Sequence, residues 1–245
     1  MKNQYFGDFG DYQKFSLLKM LRDIGGFTIT VHWMKTKGDG GTDGKRVTYL
    51  NEPAEWDSFD KEIFKFLKGH IDVSKRDLSL YEESIHAKGI KFINDHIEDP
   101  QKRHKMLGEI GQDKKSDLIF LDPDNGIEVK STNQKTVHKY VLWSDIRTAF
   151  DSNKSVLVYQ HFSRKNRDFF IQEKLAEFQK HFDADMFVIK VKHSVYFLLA
   201  QKSHLAKVRR GLSQYSNIWK SLVSVRDPHT SKSLVAKSLE NPYTD

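Results

Sequence analysis

Ten consecutive residues, Asp117-Leu118-Ile119-Phe120-Leu121-Asp122-Pro123-Asp124-Asn125-Gly126, constrain this chain most. The run from Ser116 to Leu121 is too short for a stable helix and is bounded by turn formers, so it predicts a buried central strand. Pro123 has no amide to give to a ladder and ends the strand. Asn125-Gly126 is a strong turn dipeptide. Asp122, Pro123, Asp124 and Asn125 are thereby placed at the C-terminal end of a strand, the edge at which open α/β sheets bind their ligands. A plain solvated turn would use the same residue types, so the placement nominates a site without naming its chemistry.

The rest of the chain alternates between helical and extended signals. Phe15, Leu17, Leu18, Leu21 and Ile24 recur at helical spacing behind Asp11, whose carboxylate suits a helix cap, and Gly25-Gly26 closes that helix. Extended segments are expected over residues 27–33, 47–50, 89–93, 155–159, 186–191 and 194–200, the last two joined by a tight turn at Lys192-His193. Helices are expected over 56–67, 100–110, 145–150, 167–182 and 205–223, with residues 70–88 helical in part. Such alternation predicts a mostly parallel sheet covered on both faces, with an antiparallel hairpin at its C-terminal edge. The expected organisation is a single domain over residues 1–225 and a polar tail over 226–245.

The chain has 245 residues, of which 30% are charged and 12% aromatic, enough for a sizeable core and unlike a disordered or membrane chain. No apolar run approaches the roughly 18 residues of a spanning helix. The N-terminal residues carry no signal-peptide apolar region, so a cytoplasmic setting is expected. With no cysteine, thiolate metal sites, disulfides and cysteine nucleophiles are excluded. The net charge is +7, and from Lys202 onward eight lysines and arginines face three acidic residues. A basic segment of this kind is compatible with nucleic acid, and equally with a merely soluble surface.

Three further stretches carry candidate chemistry. Tyr5-Phe6-Gly7-Asp8-Phe9-Gly10 is a glycine-rich aromatic loop ahead of Asp11 and Lys14. Residues 35–46 are the most glycine-dense segment, yet they hold neither the dinucleotide nor the P-loop fingerprint. His161 and Arg164 follow the second strong strand, where arginine can grip a phosphate through two parallel hydrogen bonds. Spacing alone also allows the ordinary readings of loop, cap and solvated lysine.

Taken together, the aromatic loop and Gly7-Asp8-x-x-Asp11-x-x-Lys14 at the head of a helix resemble the opening motif of the bacterial large-subunit ribosomal RNA adenine methyltransferases that act on the exocyclic amine. Asp122-Pro123-Asp124-Asn125 stands where that family has Asp-Pro-Pro-Tyr. Tyr159 and the hairpin over 186–200 fall in suitable positions. The resemblance spans most of the chain in order. It implies a Rossmann-like fold that binds S-adenosylmethionine, with Gly7, Asp8, Asp11, Lys14 and Trp33 beside the cofactor. It also implies that Asp122 and the Pro123 carbonyl accept from a target amine in nucleic acid, and that Tyr5 or Phe6 stacks on the base. The chain departs from the pattern in the first glycine-rich loop and at Asp124 and Asn125.

Two other readings stay open at this level. Asp8, Asp11, Asp122, Asp124 and His161 offer hard oxygen and imidazole ligands for magnesium or manganese, as in a metal-dependent nuclease or phosphoesterase. The spacing from Asp124 to Glu128 is too short for the PD-(D/E)xK arrangement. The basic C-terminal segment, with Tyr215 and Trp219, would alternatively serve a non-catalytic nucleic-acid-binding module, although ordinary helix packing accounts for both aromatics.

Overall fold

The computed structural model describes residues 1–36, 44, 46–71, 76–94 and 100–229. Most of the glycine-dense stretch and the end of the C-terminal tail lie outside these described residues. In chain order the principal elements are helix α1 (Phe9–Asp23), strand β1 (Ile29–His32), helix α2 (Lys61–His70), strand β2 (Ile90–Ile93), helix α3 (Pro100–Gln112) and strand β3 (Leu118–Leu121). Helix α4 (Trp143–Asp151), strand β4 (Ser155–His161), helix α5 (Arg167–His181), strands β5 (Asp185–Val191) and β6 (Ser194–Ala200), helix α6 (Leu205–Trp219) and strand β7 (Val223–Arg226) follow.

These strands form one seven-stranded sheet in the order β2-β1-β3-β4-β6-β5-β7. β2, β1, β3 and β4 are mutually parallel. β6 runs antiparallel to both β4 and β5, and β7 runs antiparallel to β5. This is the Rossmann-like sheet expected above, with a parallel core and antiparallel C-terminal strands. Alternating side chains feed two cores. Leu118 and Phe120 of β3 join α1, α2 and α6 on one face, and Ile119 and Leu121 join α3, α4 and α5 on the other. A strand buried on both faces reads as a continuous apolar run, which is why Leu-Ile-Phe-Leu was legible as a central strand.

From β1 the chain moves outward to β2, then returns to the opposite side of β1 as β3. The reversal opens a crevice beyond the ends of β1 and β3, the place where such sheets take ligands. Because β6 starts beside the end of β4, with Ser194 opposite His161, the turn between β5 and β6 lies at the same edge.

Several local expectations are corrected. Residues 48–51 form a 3-10 turn rather than a strand. The helix expected over 56–67 is broken: Asp60 caps α2 by accepting from the Ile63 amide, so α2 starts at Lys61. Asp8, not Asp11, is the cap of α1, and its side chain accepts from the Asp11 amide. Helix α6 stops at Trp219, and residues 223–226 add an edge strand, so Arg226 belongs to the sheet rather than to a tail. In the stretch 70–88, His70 ends α2, and beyond it the described residues contain only a short helix (Ser79–Glu82) and a 3-10 turn (Ile85–Ala87). No described helix is long and apolar enough to cross a membrane.

Candidate functional site

The C-terminal edge of the parallel strands opens into a cleft of about 790 Å³. Its floor joins the two stretches that the sequence singled out. Helix α1 enters the site through its cap: Asp8 accepts from the Asp11 amide at 3.1 Å, and the Asp11 carboxylate in turn accepts from the Gly7 amide at 3.2 Å. One turn on, Lys14 Nζ donates to Asp11 Oδ1 at 3.1 Å and to Asp122 Oδ2 at 2.8 Å. The same ammonium lies 5.0 Å from the Tyr159 ring centroid and 5.8 Å from that of Trp33.

Asp122 itself continues the sheet geometry. Its amide donates to the His32 carbonyl at 3.0 Å, tying the first residue beyond β3 to the end of β1. Asp124 is held from the other side, with its Oδ1 2.6 Å from the Met1 amino group and its Oδ2 accepting from the Thr36 hydroxyl. The Met1 amino group also donates to the carbonyls of Met34 and Asp122, so Met1 sits across the β1–β3 crevice. The turn after Asp124 is fixed by Gln160 of β4, whose Oε1 accepts from the Ile127 amide at 2.8 Å. Gly126 is required there. Its φ is +93°, and a Cβ would run into the Gln160 side-chain amide. Residues 126–127 then pair with 140–141, which brings Tyr140 to the cleft wall.

The electrostatics follow from burial. Desolvation pushes the Asp11 carboxyl up to about 7, with Lys14 pulling it back and Asp8 adding to the rise. Burial works against the Lys14 ammonium, but Asp122 and Asp11 outweigh it and the pKa of Lys14 is raised. For Asp124, burial is outweighed by the Met1 amino group, and its carboxyl is held below the usual range. Burial lowers the His161 imidazole and raises the Tyr159 phenol.

Of the candidates read from sequence, Tyr5, Asp8, Asp11, Lys14, Asp122, Pro123, Asp124, Asn125 and His161 all line this cleft. Three others do not line it. Gly7 packs beneath Ile71, at φ +78°. Trp33 is fully buried, stacks on Phe92 and donates to Glu82 Oε1 at 2.8 Å. Arg164 is exposed and is not among the lining residues. Phe6 lies in the core edge-on to Phe66, which leaves Tyr5 as the stacking candidate. Sequence reading did not single out Gln13, Arg46, Arg167, His193 or Ser194, all of which line the cleft. The Lys192-His193 turn was legible as a turn, and its arrival at the ligand-binding edge depends on β6 pairing with β4.

Among the described residues no three His, Asp or Glu side chains come together as a metal site. Asp11 and Asp122 each direct an oxygen to Lys14, and Asp124 spends its two on Met1 and Thr36. Three of the C-terminal basic residues are engaged within the chain: Lys207 with Asp117, Arg209 with Asp227, and Arg210 with the carbonyls of Ile24 and Gly25. Tyr215 and Trp219 are fully buried against α1.

No family model and no curated protein match the chain. Among solved structures, it is similar to human methyltransferase-like protein 13 in complex with SAH, at 12% identity and a TM-score of 0.32, over 82% of this chain and 89% of that one.

Proposed function

We propose that the protein is an S-adenosylmethionine-dependent methyltransferase-like enzyme acting on an adenine or related exocyclic amine in nucleic acid. The observation that carries this reading is the Lys14–Asp122 pair. It joins the Gly-Asp-x-x-Asp-x-x-Lys motif to the Asp-Pro-Asp-Asn turn in one cleft, at the edge where a Rossmann-like sheet binds its ligands.

The donor set suits the cofactor. S-adenosylmethionine, when bound, supplies a methyl group on a sulfonium centre and presents a zwitterionic amino-acid end. The carboxyl groups of Asp8, Asp11 and Asp122 offer hydrogen-bond acceptors to a cationic ligand, and the Lys14 ammonium completes the mixed floor. Gln13 Nε2 is buried at the cleft wall without a hydrogen-bond partner, a donor that an oxygen-rich ligand would satisfy.

In this reading Lys14 fixes the Asp122 carboxylate through Oδ2, and Asp122 Oδ1 accepts from the target amine. The Pro123 carbonyl is the second acceptor. Two acceptors set the direction of the amine lone pair, so the protein contributes mainly positioning. Tyr5 supplies a stacking surface for a base taken out of its helix.

The test is calorimetric titration of S-adenosylmethionine, followed by a methyl-transfer screen on RNA and DNA with Asp122→Asn as the comparison. Micromolar binding kept in the variant, with transfer lost, is the expected result. Absence of binding to the wild-type protein sinks the reading.

A further inference from the structure

The cleft has a second pole. Besides the buried carboxyls of Asp11 and Asp122, the exposed Arg46, Arg167 and His193 and the buried Ser194 line it. They come from three separate places: the segment after β1, the first residue of α5, and the turn between β5 and β6 with the first residue of β6. The sheet brings His193, Ser194 and Arg167 together, because β6 starts beside the end of β4 and α5 follows β4, and the Phe9 amide donates to the Arg46 carbonyl at 3.0 Å, which holds that segment at the head of α1. Arg46 and Arg167 are exposed, and neither makes a salt bridge among the described residues, although Arg46 lies near enough to Asp8 to counter the rise that burial gives its carboxyl. Arg167 is nevertheless held in place, with its guanidinium carbon 5.2 Å from the centroid of the Phe162 ring.

The field at this pole is positive. The His193 imidazole is pushed down to about 4, first by partial burial and then by Arg46, Lys192 and Arg167. Guanidinium groups that line one cleft without a salt-bridge partner recognise phosphate through paired, charge-assisted hydrogen bonds. The floor, with Asp8, Asp11, Asp122 and Asp124, instead favours hydrogen-bond donors or positive charge. A ligand that satisfies both poles carries an anion at one end and an amine at the other.

We infer that Arg46 and Arg167, with His193 and Ser194, form a phosphate subsite that holds a nucleotide's phosphate while its base extends toward Asp122. The direction of the base rests on the function proposed above; the anion site rests on the four lining residues.

The experiment titrates the full chain, without cofactor, with adenosine and with adenosine 5′-monophosphate. The monophosphate should bind at least about tenfold more tightly, as one charge-assisted phosphate grip supplies. Arg46→Ala and Arg167→Ala should each bring that ratio toward one while leaving adenosine affinity in place. Lys105→Ala, an exposed change on α3 whose lysine does not line the cleft, should leave the ratio unaltered. A dinucleoside monophosphate binding as tightly as the mononucleotide assigns the subsite to the diester of a strand. Tight binding of the mononucleotide alone assigns it to a terminal or free phosphate. A wild-type ratio near one, a ratio indifferent to both arginine variants, or no binding of the monophosphate at millimolar concentration overturns the subsite. The cofactor titration is independent of this result, so the two readings fail separately.

Discussion

Lys14 Nζ lies 2.8 Å from Asp122 Oδ2, across a sequence separation of 108 residues, and both side chains are almost wholly buried. The same ammonium is 3.1 Å from Asp11 Oδ1, so one cation serves two carboxyl groups in a buried floor. Removing the cation leaves both carboxylates without their shared partner. Lys14→Met should therefore destabilise the fold by ~3–5 kcal/mol, the usual cost of breaking a buried pair from one side. Urea denaturation measures this. Lys14→Met combined with Asp122→Leu should recover part of the loss, because the stranded carboxylate is then gone. A single-variant cost under ~1 kcal/mol would mean that water reaches the floor and that the pair does not organise it.

Asp11 gives the floor a pH dependence of definite sign. Its carboxyl titrates near 7 in the folded protein against an ordinary 3.8, because burial favours the neutral form. The folded state thus binds that proton more tightly than the unfolded chain. The contribution is fully present below the ordinary value and is lost as pH rises through the window up to about 7. Asp124 works the other way: its lowered pKa adds stability that is lost as pH falls through the ordinary carboxylate range. Asp11→Asn keeps an acceptor for the Gly7 amide and removes the titration. From pH 4 to pH 7 the wild type should lose stability relative to this variant, by up to ~1 kcal/mol per pH unit. Urea midpoints at several pH values measure the difference. A constant gap between the two proteins would remove Asp11 from the pH response.

The parts of this fold that were legible in the sequence are those whose partners do not matter to the pattern. Leu118–Leu121 reads as a strand because it is apolar on both faces, and Ser194–Ala200 reads as one because β-branched and aromatic residues dominate it. Val223 and Val225 carry the same period-two signal, but so short a segment between a long helical pattern, read as far as Val223, and a polar tail from Arg226 does not stand out as a strand. Only pairing with β5 makes them a strand. At the site, Asp122 and Lys14 were legible as separate motifs, whereas their ion pair depends on how α1 docks against β3. Trp33 illustrates the converse. A tryptophan just past β1 looks like a cofactor wall, yet the side chain turns into the core between Phe15, Phe92 and Phe120. The arginines behave similarly, since sequence gives their charge and only the fold says which have carboxylate or carbonyl partners.

The turn after Asp124 predicts a steric dependence between Gly126 and Gln160. A methyl group at Gly126 adds strain at φ +93° and collides with the amide that accepts from Ile127. Gly126→Ala should cost about 1–3 kcal/mol in thermal or urea unfolding. Gln160→Ala removes the collision but also the hydrogen bond to the Ile127 amide. The double variant should consequently be more stable than the sum of the two single losses predicts. Strict additivity would show that the backbone, and not Gln160, sets the cost.

The C-terminal helix yields a prediction that separates charge from contact. Arg209 donates through Nε to Asp227 at 2.7 Å, and Arg210 donates through Nη2 to the Gly25 carbonyl at 3.0 Å, just past the end of α1. A guanidinium at a helix C-terminus satisfies carbonyls that have no partner within the helix. Changing Arg209 and Arg210 together to alanine should lower stability by about 1–2 kcal/mol, a range discounted because Arg209 is partly solvent-exposed. If α6 were instead the main nucleic-acid surface, the same pair of changes would cut the salt dependence of oligonucleotide binding by about two phosphate contacts. The engagement of both side chains within the chain argues for the first outcome. Binding isotherms at several salt concentrations should therefore keep their slope in the double variant while its unfolding midpoint falls. A reduced slope with an unchanged midpoint would assign these arginines to nucleic acid and move the contact surface away from the cleft.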